Sequence, residues 1–224
     1  MALPTGTVTF LFSDIEGSTA RWDQQPEAMR AALARHDALL HDAIARHGGV
    51  VFKTWGDAFC AAFATAIDAL AAAIAAQRAL YAEVGDGRVH PIPLRVRMAL
   101  HTGAADERDG DYFGPPLNRV ARLLAAGHGG HVLLSQPTAE LVRDHVPPGA
   151  VLRDLGQHRL RDLIRPERIF QLVVEDLPAD LPPLRTLDCH PNNLRAQPTA
   201  LIGREQEVAA ARSLLQRTDV RLLT

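Results

Sequence analysis

The sequence predicts an α+β domain, a mainly antiparallel sheet on a βαββαβ core with helices packed on one face. Three observations carry this. Short β-branched and aromatic runs alternate with longer alanine- and leucine-rich runs whose apolar residues recur at helical spacing. Two of the short runs, Val50 to Lys53 and Ala58 to Ala64, are joined only by Thr54-Trp55-Gly56-Asp57, which makes them a hairpin. Glycines, singly or in pairs, close the long runs as helix C-caps do.

Thr7 to Ser13 (TVTFLFS) has no interior Pro or Gly and reads as a buried strand that ends at Asp14. Glu27 to His47 places Met29, Leu33, Leu40 and Ile44 on one helical stripe, and Gly48-Gly49 ends it. The hairpin follows, then an alanine-rich helix from Thr65 to Glu83, closed by Gly85-Asp86-Gly87. Leu94 to Thr102 (LRVRMALHT) alternates as a strand, and Asp106 to Asp111 reads as a polar loop. Pro115, a residue favoured in the first helical turn, opens a helix through Ala126. His131 to Ser135, a helix from Pro137, and strands around Val151 to Arg161 and Ile169 to Val174 complete the domain, assigned to residues 1–176. Residues 177–198 hold five prolines and no periodic apolar pattern, which predicts an extended Pro-rich linker. A helical pattern restarts over residues 199–224, too short to enclose a core.

With 224 residues and 47% apolar content, the chain is long enough to bury a core. Its 24 basic and 26 acidic residues give a net charge of -2, which offers no basic footprint for nucleic acid or anionic lipid. Any charged ligand must be held locally. Cys60 and Cys189 stand far apart and lack metal-ligand spacing, so neither a disulfide framework nor a zinc site is expected. The first residues lack a basic region and a cleavage site, and no apolar run approaches the length of a membrane span. A soluble cytoplasmic protein is expected, with no membrane and no nucleic acid among its partners.

Asp14 in FLFSDIEGST and Asp57 in FKTWGDAFCAAF each fall at a strand end or tight turn. Either aspartate alone reads more simply as a turn-former. Ile15-Glu16-Gly17-Ser18-Thr19 changes that reading, because small residues ahead of a helix let backbone N–H groups approach an anion. A carboxylate beside a phosphate cradle needs a cation between them, and magnesium favours one or two carboxylates plus substrate phosphates. Asp14 and Asp57, converging from adjacent strand ends, meet that requirement.

In order and spacing, TFLFSDIEGST, FKTWGDAFCAAF, RMALHTG and GDYFGPPLNRVARL resemble the motifs of class III nucleotidyl cyclases, over about Thr5 to Val174. The resemblance implies the ferredoxin-like class III cyclase fold and an adenylate cyclase that converts ATP to cyclic AMP and pyrophosphate. It implies two Mg2+ or Mn2+ ions as cofactors, held by Asp14, Asp57 and the backbone carbonyl of Ile15. Gly17, Ser18 and Thr19 would approach the phosphates. The ions would activate the ribose 3′-hydroxyl and neutralise the triphosphate, so no protein nucleophile is required.

Lys53 and Asp111 match the family's base-reading pair: a lysine donates to adenine N1 and an aspartate accepts from the 6-amino group, a pattern that guanine would reverse. Asn118 and Arg122, four apart in LNRVAR, share a helix face, and the resemblance makes them the catalytic residues. Asn118 would orient the ribose and Arg122 would stabilise charge on the α-phosphoryl oxygens. Arg97 and Arg161 stand where the family places basic residues against the β- and γ-phosphates. Arg119 is expected in solvent, and Cys60 and His101 are expected to be structural. Trp55, Pro115 and Pro116 depart from the commonest family residues at their positions.

In the family's architecture the metal set and the base-reading set come from different protomers. This chain carries both, which implies a homodimer with two equivalent sites. The segment from Asn192 resembles the entry into signalling NTPase regions that follow bacterial cyclases, so NTPase and regulatory domains are expected in the full-length protein. No NTPase activity is expected here, because the phosphate-binding glycine loop is not in the chain. Two rivals keep the fold: a catalytically silent dimerisation or nucleotide-sensing module, and a cyclase specific for GTP or a pyrimidine nucleotide.

Overall fold

The computed structural model describes residues 3–85 and 94–187, with Ser213 beyond them. A compact unit runs from Met1 to His190 and a second from Pro191 to Thr224; the NTPase-like start expected at residues 199–224 lies outside the described residues apart from Ser213. In chain order the first unit comprises β1 (Thr7–Ile15), α1 (Ser18–Gln24), α2 (Pro26–Arg46), β2 (Val50–Trp55), β3 (Ala58–Phe63) and α3 (Ala66–Gly85). There follow β4 (Val96–Ala104), β5 (Asp106–Arg108), β6 (Asp111–Phe113), α4 (Pro115–Ala126), β7 (Val132–Ser135) and α5 (Gln136–Val142). A short 3-10 turn, β8 (Ala150–His158) and β9 (Glu167–Val174) close it.

Among the described residues seven strands form one sheet in the order β2-β3-β1-β4-β7-β9-β8, in which β4 and β7 pair in parallel and the other neighbours antiparallel. The mainly antiparallel α+β fold expected from the sequence is present. β1 is an interior strand, between β3 and β4, and its residues bury on both faces. Leu11 and Ile15 join the core under α2, α3 and α5, whereas Val8 and Phe10 join a smaller core with Val120, Leu123 and Ala126 of α4. The packing on one face thus holds for α2, α3 and α5, and α4 adds a layer against the other face. In α3, Ala69, Ala72, Ala73 and Ala76 are at most 2% exposed, and such small side chains let the helix lie close to both the sheet and α2.

Three local readings change. Asp106 to Asp111, expected as a loop, forms most of the β5–β6 hairpin, whose Tyr112 is buried against Phe10 and Phe52. That apolar anchor holds a polar ribbon in place. Arg161 lies past the end of β8, in the turn before β9, where Asp162 takes a positive φ of 61°. Residues 178–187 form no regular strand or α-helix, as a Pro-rich segment should, yet Leu184 and Thr186 are buried against the domain.

Candidate active site

β1 delivers Asp14 and Ile15 to one end of the sheet, and the tight β2–β3 turn brings Asp57 to the same end. Trp55 pairs with Ala58 in that hairpin, so only Gly56 and Asp57 make the turn, with Gly56 at φ 61°. Asp57 Oδ2 accepts from the Ile15 backbone N–H at 3.0 Å, and its Oδ1 accepts from the Ser18 hydroxyl at 3.3 Å. The two aspartates expected to converge are therefore on neighbouring segments tied to each other. Gly17 takes the left-handed conformation (φ 72°) ahead of α1, and no side chain caps that helix. Its first N–H groups receive no side-chain partner from within the helix.

Asp14 has a partner already. Arg97, its register neighbour on β4, donates from Nε at 2.9 Å and from Nη2 at 2.5 Å, both to Asp14 Oδ2. Among the described residues no hydrogen bond reaches Asp14 Oδ1. Carboxylate and carbonyl oxygens of Asp14, Asp57 and Ile15 are hard donors of the kind Mg2+ and Mn2+ take. Among the described residues no three His, Cys, Asp or Glu side chains gather as a closed metal cage. Two carboxylates suffice for an ion whose remaining ligands are water and phosphate.

A second group lies elsewhere. β2 carries a bulge between Val51 and Lys53, and bulges re-aim side chains. Consecutive residues Phe52 and Lys53 both reach the β5–β6 hairpin, Phe52 against the Tyr112 ring and Lys53 onto Asp111. The Lys53 hydrogen bond, helped by the Tyr112 backbone N–H, holds the Asp111 carboxyl below its ordinary value against the opposing effect of burial. Reciprocally, Asp111 raises the Lys53 ammonium. Burial pushes the neighbouring Cys60 thiol up to about 11, so Cys60 stays protonated; it is half-buried beside Lys53 rather than part of the core expected for it.

α4 presents Asn118, Arg119 and Arg122 to a cavity of about 520 Å³ also lined by Asp162, Arg165 and Glu167. Arg122 Nη2 forms an ion pair with Asp162 Oδ2 at 2.8 Å, and Arg161, 83% exposed, reaches the same carboxylate only at 3.9 Å. Arg119, expected in solvent, bridges to the mostly buried Glu167 at 3.3 Å while keeping part of its side chain exposed. The structure thus brings together Asp14, Ile15, Asp57, Ser18 and Arg97 in one group, Lys53 with Asp111 in another, and Asn118 with Arg122 at the α4 cavity, whose lining does not include the exposed Arg161. Among the described residues no hydrogen bond or ion pair joins the carboxylate group to the other two.

Sequence reasoning missed Asp162 and the surroundings of Glu16. Glu16 Oε2 accepts from the Gly129 backbone N–H at 3.0 Å, and Oε1 lies 2.7 Å from Arg185 and 3.2 Å from His128. Burial alone would raise the Glu16 carboxyl, but these hydrogen bonds and the Arg185 charge outweigh it and hold it below the ordinary value. The Gly129-Gly130 pair was a visible signal of close backbone approach. Nothing in the sequence marks Arg185, which sits among prolines.

Residues 2–162 match the adenylate and guanylate cyclase catalytic domain family. An uncharacterised protein of Mycobacterium tuberculosis is 44% identical over 209 residues, spanning 92% of this chain and 70% of its own. The adenylate cyclase of Podospora anserina is 30% identical over 221 residues, spanning 75% of this chain and 10% of its own much longer one. An adenylate cyclase of Trypanosoma brucei, solved in its monomeric state, superposes with a TM-score of 0.70 at 28% identity, covering 83% of this chain and 96% of that one. The adenylyl cyclase CyaB from P. aeruginosa does so with a TM-score of 0.63 at 26% identity, covering 75% and 94%. Strand-end carboxylates, a re-aimed lysine and an asparagine–arginine helix, set on this sheet, agree with the family match: the chain belongs to the class III adenylate and guanylate cyclase catalytic domains.

Proposed function

We propose that the chain is an adenylate cyclase, converting ATP to 3′,5′-cyclic AMP and pyrophosphate at two equivalent sites shared across a homodimer. The observation that carries this reading is the Lys53–Asp111 pair, which sets a hydrogen-bond donor beside an acceptor. Adenine presents the complementary order, an acceptor at N1 beside a 6-amino donor, and guanine presents the reverse. Asn118 orients the ribose, and Arg122 meets the charge that develops on the α-phosphoryl oxygens. Gly17, Ser18 and Thr19 lie along the phosphates, with Arg97 and Arg161 supplying positive charge. Asp14, Asp57 and the Ile15 carbonyl would hold two Mg2+ or Mn2+ ions. When bound, these supply a more acidic 3′-hydroxyl and neutralisation of the triphosphate.

Among the described residues no hydrogen bond or ion pair joins the carboxylate group to the base-reading group, and a two-fold partner offering its own second group to the first would complete a shared site. No described helix is long and apolar enough to cross a membrane, in keeping with a cytoplasmic enzyme that meets ATP there. NTPase and regulatory domains following this one in a longer protein belong to the same reading.

The test is a nucleotide panel: the purified chain with Mn2+ and, separately, ATP, GTP, CTP or UTP, assayed for cyclic nucleotide and pyrophosphate. Cyclic AMP as the dominant product is expected. A higher kcat/KM for GTP or a pyrimidine would overturn the specificity, and a blank on all four would leave the silent nucleotide-sensing module.

A further inference from the structure

We infer that Arg185, on the segment after the last strand, is a positioning residue for this reaction, acting through Glu16 to fix the Ile15–Gly17 backbone. The inference rests on the cyclase reading above, which gives Ile15 and Gly17 their roles.

Glu16 stands between a proposed ion ligand and the proposed phosphate loop, yet its carboxylate is committed to a clamp. One oxygen takes the Gly129 N–H at 3.0 Å and the other takes Arg185 at 2.7 Å. Its own N–H donates to the Arg95 carbonyl at 2.8 Å, so backbone and side chain are both held. The close approach depends on Gly129: a Cβ there would lie 2.4 Å from Arg95 Cβ and 3.0 Å from Glu16 Oε2.

The other side of the clamp is equally anchored. The Arg185 N–H donates to the carbonyl of Ala126, the last residue of α4, at 2.8 Å. His128 Nε2 donates to the Pro183 carbonyl at 3.0 Å, and its Nδ1 lies 3.1 Å from Arg185 Nη2 and 3.2 Å from Glu16 Oε1. Leu184 is only 5% exposed, and the Leu187 N–H reaches the Arg159 carbonyl at 3.0 Å. One residue therefore ties its segment to the loop that would hold the ions, through its side chain, and to the end of the helix bearing Asn118 and Arg122, through its backbone. An ion pair as exposed as Arg185–Glu16 adds little to stability, so its effect should fall on loop geometry.

The test uses the full chain with Arg185→Ala, Arg185→Lys and Glu16→Gln. Mn2+ binding is followed by electron paramagnetic resonance, hydrogen exchange over residues 14–19 by mass spectrometry, and KM and kcat with Mn-ATP. Arg185→Ala should weaken Mn2+ binding about tenfold, the size of an outer-shell loss, and deprotect residues 14–19 at a nearly unchanged Tm. Glu16→Gln should do the same, and Arg185→Lys should restore most of the binding. Unchanged Mn2+ affinity and exchange in both Arg185→Ala and Glu16→Gln, beside an active wild type, would overturn the clamp and leave the cyclase reading standing. Losses that only track a lowered Tm, unrescued by lysine, would also overturn it. A wild type that neither binds Mn2+ nor makes a cyclic nucleotide would overturn both.

Discussion

Arg97 reaches across the β1–β4 pair and places two guanidinium nitrogens on a single oxygen of Asp14, and among the described residues no hydrogen bond reaches the other oxygen. The residue proposed to meet phosphate is thus paired with the residue proposed to meet an ion. Any cation arriving at Asp14 competes with Arg97. The pair is about one-fifth exposed on each side and well aligned, which puts it near the upper end of what partly exposed pairs contribute, about 1 kcal/mol. Arg97→Ala should then bind Mn2+ about fivefold more tightly without nucleotide, while its turnover with ATP falls. Calorimetric titration of both forms checks this, and an affinity that drops or stays level would refute the competition.

The same logic applies to Arg122 and Asp162, 2.8 Å apart across the α4 cavity. Arg122 must leave Asp162 to reach a phosphate, so Asp162→Asn should raise kcat/KM for ATP by up to about fivefold, given the exposure of the pair. Arg122→Ala should instead lose roughly 10²–10³ in turnover, as removal of a charge-stabilising donor does. If Asp162→Asn lost as much as Arg122→Ala, the aspartate would be holding Arg122 in its working position.

What could be read from the sequence divides along physical lines. Strand β1, helix α2 and helix α4 were legible because burial imposes a period, and the β2–β3 hairpin was legible because four residues, a glycine among them, join two strand-like runs; that the turn itself is only Gly56 and Asp57 came from the structure. The β5–β6 hairpin was not, since its apolar content is little more than Tyr112 in a polar ribbon; the anchor is the aromatic cluster it meets from other elements. Asp14, Asp57, Lys53 and Asp111 could be singled out because their motifs are local. The ion pairs that hold Asp14 and Arg122 could not, because Arg97 is 83 residues from Asp14 and only the register of β1 against β4 sets them side by side. Arg185 is 169 residues from Glu16 and lies where composition announces only a spacer.

A shared site has a consequence that no single-chain site can mimic. Asp14→Ala removes one group from each protomer, and Asn118→Ala removes a group from the other set. Each variant alone should be nearly inactive, whereas an equimolar mixture should recover about a quarter of wild-type activity, because half the dimers are mixed and each carries one intact site. Activity of the mixture is the measurement, with subunit exchange verified by mass spectrometry. A mixture that stays inactive despite exchange would place the whole site within one chain.

Acid should destabilise the domain through His101. Its ring is 3% exposed, its Nδ1 lies 2.7 Å from the Ser135 hydroxyl, and burial, reinforced by the charge of Arg119, pulls its pKa down to about 4. The folded chain therefore keeps the ring neutral, while the unfolded chain binds a proton near pH 6.5. Between those values the unfolded state holds more protons, so stability rises with pH through that window and is lost as pH falls. At pH 5.5 the difference reaches about 1.4 kcal/mol, or about 3–5 °C in Tm for a domain of this size. His101→Gln, which can keep the hydrogen bond to Ser135 but cannot titrate, should flatten that part of the Tm profile between pH 7 and 5.5. The buried His131, also pulled down to about 4 mainly by desolvation, should leave a residual slope of the same sign. A His101→Gln profile as steep as the wild type would show that the proton taken up on unfolding binds elsewhere.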